Sequence, residues 1–272
     1  MDEKEIIRML EEARLPEFKV SAAREQAKKA LFSAAKKRSK SPSWKLVTAL
    51  AGMFALAVTT YYMIDTMDEG NKFNRNGGVW STYSDSQEGG NSVIWPPPSN
   101  RYENQFEMSA PGYGETGYAV RITGSSGIKL GQNYNYIGLV NRFSANSSCP
   151  KCQGSDISRH KGIMFKIKGR ITSGQLFFIL PYESSECVPD RITCKSLTGY
   201  ADYEKEITFD VTDRWNTVTI DFRKDLKQPF WTPRDSIVEI ENVLKSVHLF
   251  KWQYKNGGGE TIEFWIDDVQ LY

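Results

Sequence analysis

Hydrophobic positions fall along this chain in three regimes. In the first 45 residues they recur at helical spacing on polar segments. Residues 3–14 carry Ile6, Ile7, Met9, Leu10 and Ala13 as one stripe, with Asp2 and Glu5 placed as a capping box. Pro16 ends that segment. A second stripe starts near Ser21, a natural N-cap, and holds Ala23, Ala27, Ala30, Leu31 and Ala34 opposite a basic face. Residues 46–64 (LVTALAGMFALAVTTYYMI) then contain no charge at all. Beyond residue 70 the pattern becomes short alternations separated by Gly, Pro, Asn and Ser. Strands are predicted over 118–123, 136–140, 163–168, 176–180, 206–210, 217–222, 246–252 and 261–266. Residues 236–244 (SIVEIENVL) read as a short helix or a strand.

The uncharged run divides the chain. Its nineteen residues span about 28 Å as a helix, close to the thickness of a bilayer's hydrocarbon. Trp44 borders it on one side and Tyr61 and Tyr62 on the other, where amphipathic rings settle at headgroup level. Lys36, Lys37, Arg38, Lys40 and Lys45 precede it, and Asp65, Asp68 and Glu69 follow. The positive-inside rule therefore predicts a single pass through an inner membrane, with residues 1–45 cytoplasmic and the rest periplasmic or extracellular. A cleaved signal peptide fits poorly, because a long polar segment comes first. The expected organisation is a basic helical tail over 1–45, a transmembrane helix over 46–64, a linker over 65–75 and a β domain over 76–272.

Composition adds limits. The net charge of +2 over 272 residues gives no basic surplus for wholesale nucleic-acid binding. All seven Trp lie at position 44 or later. Trp80 and Trp215 are expected in the core. Trp95, Tyr113, Trp231, Trp252 and Tyr254 are candidates for a flat binding surface. Tyr113 and Trp231 stand out among them because they sit in Gly- and Pro-rich loops (APGYGE, QPFWTP).

Four cysteines, Cys149, Cys152, Cys187 and Cys194, fall in the part expected outside the cytoplasm. Two disulfides are expected there, in any of three pairings. The alternative is a zinc site, since Cys149-x-x-Cys152 has knuckle spacing. Gln153 stands where a haem attachment motif needs His. Catalysis has little to work with. There are two histidines, His160 and His248, and no nucleophile elbow, phosphate loop or metalloprotease motif. A non-enzyme is expected.

Four segments carry a resemblance. GGVWSTYSD (77–85) followed by GGNSVIWP (89–96) is similar to the opening of family 11-type carbohydrate-binding modules and their CIA30-like relatives. DISRHKGIMFKIKG (156–169) is similar to their middle strand. WNTVTIDF (215–222) with LKQPFW (226–231) resembles their "W-x-x-V-x-I-P-F … Q-x-x-W" element, except that Asp221 stands where Pro is frequent. FWIDDVQLY (264–272) resembles the closing strand. The cysteine segments have no counterpart. The resemblance implies a galactose-binding-like jelly roll, an antiparallel β-sandwich. It further implies a non-catalytic role in binding polysaccharide or cell-wall glycan, and a structural Ca²⁺ with Asp267 as ligand and Asp85 as a distant partner. The alternative for the same fold is a protein-interaction or assembly module. The order of acidic helix, Pro, basic helix, Trp and uncharged run also resembles the N-terminal layout of some bacterial anti-sigma regulators. That likeness implies a cytoplasmic regulatory partner, and it lacks the His and Cys of the zinc-binding versions.

Overall fold

The computed structural model describes residues 61–98, 106–127, 135–143, 154–182 and 201–272. The tail, residues 46–60 of the uncharged run, and all four cysteines lie outside the described residues. Alternation within these segments produces β1 (Tyr62–Asp65), β2 (Trp80–Ser84), β3 (Val93–Trp95), β4 (Val120–Ser125), β5 (Tyr136–Arg142) and β6 (Gly162–Arg170). It continues through β7 (Gln175–Leu180), β8 (Tyr203–Glu206), β9 (Asn216–Asp221), β10 (Leu249–Lys255) and β11 (Ile262–Leu271). A single turn of helix, α1 (Ile240–Leu244), precedes β10.

The strands form two antiparallel sheets, as the resemblance implies. The first has the order β3-β4-β11-β6-β9, with β1 also paired to β11; the second has the order β2-β5-β10-β7-β8. β10 shows how the layers are made. Phe250, Trp252 and Tyr254 point inward and are fully buried, while Lys251, Gln253 and Lys255 point out. Trp252 packs 5.6 Å from Trp80 and 5.5 Å from Phe178 of its own sheet, and 5.4 Å from Phe165 of the other. These edge and tilted contacts join the sheets through one aromatic layer.

The domain begins earlier than the charge pattern implies. Tyr62 and Met63 pair with Leu271 and Gln270, and Ile64 and Met67 are buried in the core. The end of the expected span and its expected linker are therefore part of the sandwich. The uncharged run passes into β1 without a polar break, so charge alone cannot mark the junction. Asp65 reinforces it: the Trp80 indole N–H donates to its Oδ2 at 2.7 Å, linking β1 to the other sheet. Burial outweighs this bond and raises the Asp65 pKa. Among the described residues no helix is long and apolar enough to cross a membrane.

Two further differences are local. The strand expected over 206–210 is instead β8, ending at Glu206, followed by a 3-10 turn at Thr208–Asp210. The Leu176 N–H is capped there by the Thr208 hydroxyl at 2.9 Å. Of residues 236–244, Ser236 closes a 3-10 turn, Arg234–Ser236, and 240–244 form α1.

Because Trp252 touches both sheets, Trp252→Ala removes more than one ring contact. It is expected to lower stability by about 3–5 kcal/mol, measured by urea denaturation of residues 60–272. A loss below about 1 kcal/mol would mean that the aromatic layer does not join the sheets.

Candidate functional site

Inward residues fill the core, so the outward residues of the second sheet are free to do chemistry. Register lines them up across all five strands. Tyr83 faces Gly138, Gly138 faces Gln253, Gln253 faces Phe177, and Phe177 faces Glu206. A neighbouring row runs Ser81, Val140, Lys251, Ile179 and Glu204, and a third Tyr136, Lys255 and Gln175.

Gly138 shapes the first row. A Cβ there would lie 2.2 Å from Tyr83 Cζ, so only glycine lets the tyrosine ring lie across the sheet. The ring reaches over β5, and its hydroxyl donates to Gln253 Oε1 at 2.7 Å. Tyr136 tilts against it, with ring centroids 5.8 Å apart. Burial pushes the Tyr83 pKa well up, helped by Tyr136 and Asp202, so the hydroxyl remains a neutral donor. On the far side Lys255 Nζ stands 4.0 Å from the Phe177 centroid and 2.8 Å from Glu204 Oε2. Gln175 Nε2 donates to Glu206 Oε2 at 3.0 Å. The result is two aromatic surfaces separated by an amide and bordered by carboxylates and ammonium groups, all half-buried. Such a surface can stack against an apolar ring face while pairing hydroxyls at its edge.

The residues singled out in the sequence lie elsewhere. Trp252 and Tyr254 are fully buried, which removes them from any binding surface. Trp95 is exposed on β3, an edge strand of the first sheet. Tyr113 stands on that sheet's outer side, edge-on to Trp215 at 5.9 Å and 4.3 Å from Lys166 Nζ. Lys168 lies 4.7 Å from both Trp215 and Trp265, much as Lys255 and Lys251 lie 4.0 and 5.8 Å from Phe177 and Tyr83 on the second sheet. Trp80 fills the core as expected, whereas Trp215 is only half-buried. Trp231 projects from the connection after β9. A cavity of about 370 Å³ opens between the edge strands β8 and β9, lined by Lys205, Asp210, Thr217, Thr219 and Asp225 among others; it has no aromatic wall.

Asp267 and Asp85 lie apart in the fold. Asp85 follows β2 at the end where β11 begins, and Asp267 lies five residues into β11. Asp85 is fully buried; its Oδ1 accepts from Ser92 N at 3.0 Å and its Oδ2 has no hydrogen-bond partner. Asp267 is buried beneath the 109–119 loop, its Oδ2 accepting from Tyr113 N and its Oδ1 from Asp268 N, both at 2.7 Å. Among the described residues no three His, Cys, Asp or Glu side chains are grouped to hold a metal. A calcium site draws on backbone carbonyls as well as carboxylates, and Asp68 and Asp268 are the carboxylates that act on Asp267. Burial raises the Asp267 pKa to about 7, with Asp268 and Asp68 adding repulsion and the two backbone N–H groups opposing it.

No family model matches the chain, and no curated protein matches it. Among solved structures it is similar to a family 11 carbohydrate-binding module from Clostridium thermocellum, determined with a β-1,3-1,4-mixed-linked tetrasaccharide. That match has 18% identity and a TM-score of 0.46, over 78% of this chain and 94% of the other. A family 30 carbohydrate-binding module matches at 13% identity and a TM-score of 0.42, over 66% and 80%. A β-1,2-glucanase from Parabacteroides distasonis matches at 11% identity and 0.42, over 77% of this chain and 25% of the enzyme.

Asp267 gives a pH dependence of definite sign. Below about pH 4 it is protonated whether folded or unfolded; between about 4 and 7 the unfolded chain ionises while the folded chain keeps the proton. Its contribution to stability therefore falls as pH rises through that window. Lys166, its cross-strand neighbour, is engaged by Tyr113 and the Thr217 hydroxyl. Denaturation at pH 4.5 and 7.5 should show a smaller loss in Asp267→Asn than in the wild type. Equal losses would mean that Asp267 ionises freely in the fold.

Proposed function

We propose that this protein is a non-catalytic glycan-binding protein held at a membrane, with the outer side of its second sheet as the binding surface. The observation that carries the reading is the transverse row Tyr83–Gly138–Gln253–Phe177–Glu206. A sheet face that only met water would need no ring laid flat over a glycine. Here a flat ring, an amide, a second ring and a carboxylate follow one another at the strand spacing of about 4.8 Å. A pyranose offers an apolar C–H face and a rim of hydroxyls, and this row answers both. The sequence resemblance to carbohydrate-binding modules supports the same reading. The membrane part rests on the uncharged run and on the basic residues that precede it.

The test is affinity electrophoresis and a glycan array with residues 60–272, using a panel of β-glucans and cell-wall polysaccharides. The wild type should be retained by at least one class. Tyr83→Ala and Phe177→Ala should each weaken retention about tenfold, the loss of one stacked ring. Gln253→Ala, which keeps both rings, should lose less. A folded wild-type domain that ignores the whole panel would overturn the reading and favour a protein-interaction module.

A further inference from the structure

One end of the sandwich is unusually apolar at its surface. It is the end where the chain enters. Tyr62 opens β1 beside Leu271, and Gly162, the first residue of β6, pairs with Asp221, the last of β9. In the second sheet Arg142 pairs with Leu249, and Leu180 with Tyr203. The Tyr62 ring stacks 6.2 Å from Phe143, which follows β5, so these strand ends of both sheets lie together. The connections that leave this end expose Tyr61 at 51%, Phe73 at 52% and Ile237 at 64%; Phe230 is fully exposed.

Phe230 is held out on a braced loop. The Gln228 amide donates to Ala201 O at 2.7 Å and Ser236 O at 2.9 Å and accepts from Val238 N at 3.1 Å. Glu204 and Lys227 exchange backbone hydrogen bonds at 2.9 and 3.2 Å. The Tyr203 hydroxyl donates to Val238 O at 2.7 Å. Pro229 and Pro233 fix two backbone torsions between these ties. A loop this firmly tied could have folded its phenylalanine away; instead Phe230 and Trp231 project.

Charge does not account for the surface. Lys161 lies 3.8 Å from Asp221, and Arg223 pairs with Glu241 at 2.7 Å, so cations and carboxylates alternate. In the sequence, the uncharged run joins this end directly at Tyr61. Tyr and Trp settle where hydrocarbon meets headgroups, and Phe is among the residues that insert from the apolar face of interfacial elements. We infer that the chain-entry end, with Tyr61, Tyr62, Phe73, Phe230, Trp231 and Ile237, is a docking surface for a lipid bilayer interface. Apolar insertion drives the docking, rather than attraction to anionic lipid.

This inference rests on the membrane part of the proposed function but is independent of the glycan surface. Thr60–Tyr272 forms one compact unit with its own core, so residues 60–272 can be tested without the run that precedes them. The probe is flotation with phosphatidylcholine vesicles at low and high salt. The wild type should float with vesicles, with little salt dependence. Phe230→Ser/Ile237→Ser should reduce the partition coefficient about tenfold or more. Phe209→Ser is the control, since Phe209 is almost as exposed but follows β8 at the opposite end. Absence of flotation by a folded wild type, equal loss in the control, or strong dependence on anionic lipid and low salt would each overturn the inference. Glycan retention of the Phe230→Ser/Ile237→Ser protein should be unchanged, so failure of one property leaves the other readable.

Discussion

The contact on which the rest depends is Trp252 between the sheets. It meets Trp80 and Phe178 on its own side and Phe165 across the layer. Strand alternation then leaves no choice for its neighbours: with Trp252 inward, Lys251 and Gln253 must face out. The candidate binding surface is thus the reverse of the core. Its amide and ammonium groups are positioned by the packing of rings that no ligand touches. Flanking strands repeat the relation, Leu176 and Phe178 holding Phe177 outward, and Ile137 and Leu139 presenting Gly138. Precision at the surface comes from the density of the layer beneath it.

Much of the fold was legible because the alternation is strict where it matters. Residues 163–168 and 217–222 fall within or almost coincide with β6 and β9, and a two-sheet antiparallel class follows from them. The same rule, applied to FKWQYK in β10, would have placed Trp252 and Tyr254 inside. Treating aromatics as candidate platforms without asking which side of the strand they occupy led away from Gln253 and Lys251. Tyr83 was harder to see. Its role depends on Gly138, a residue 55 positions later that becomes its neighbour only through strand register. No local pattern carries that information. The entry into β1 was illegible for another reason: Tyr62, Met63 and Ile64 are apolar enough for a membrane and alternate well enough for a strand.

The two aspartates are held in different ways. Both sit in tight backbone cradles. A Cβ at Gly90 would fall 2.2 Å from Asp85 Cγ, and one at Gly112 2.7 Å from Asp267 Oδ2. Asp85 has one backbone N–H on its Oδ1, whereas Asp267 has Asp68 and Asp268 near it. Asp267 also receives two backbone N–H groups and terminates a loop, and Asp268 takes a left-handed φ of 49° at the irregularity in β11. The carboxylate pins the 109–119 loop to the first sheet, as a cap pins a helix end.

β1 has a mechanical consequence. It meets β11 through three register pairs, Tyr62–Leu271, Met63–Gln270 and Asp65–Val269. Antiparallel hydrogen bonds run across the strands. A pull on the chain along β1 therefore loads these bonds together in shear, instead of opening them one by one. The Asp65–Trp80 bond passes part of that load to the second sheet, the layer that carries the candidate surface. Tension between the candidate surface and the chain's point of entry would be borne across the aromatic layer. The first strand would be the element to yield, while the sheet that carries the candidate surface stays whole.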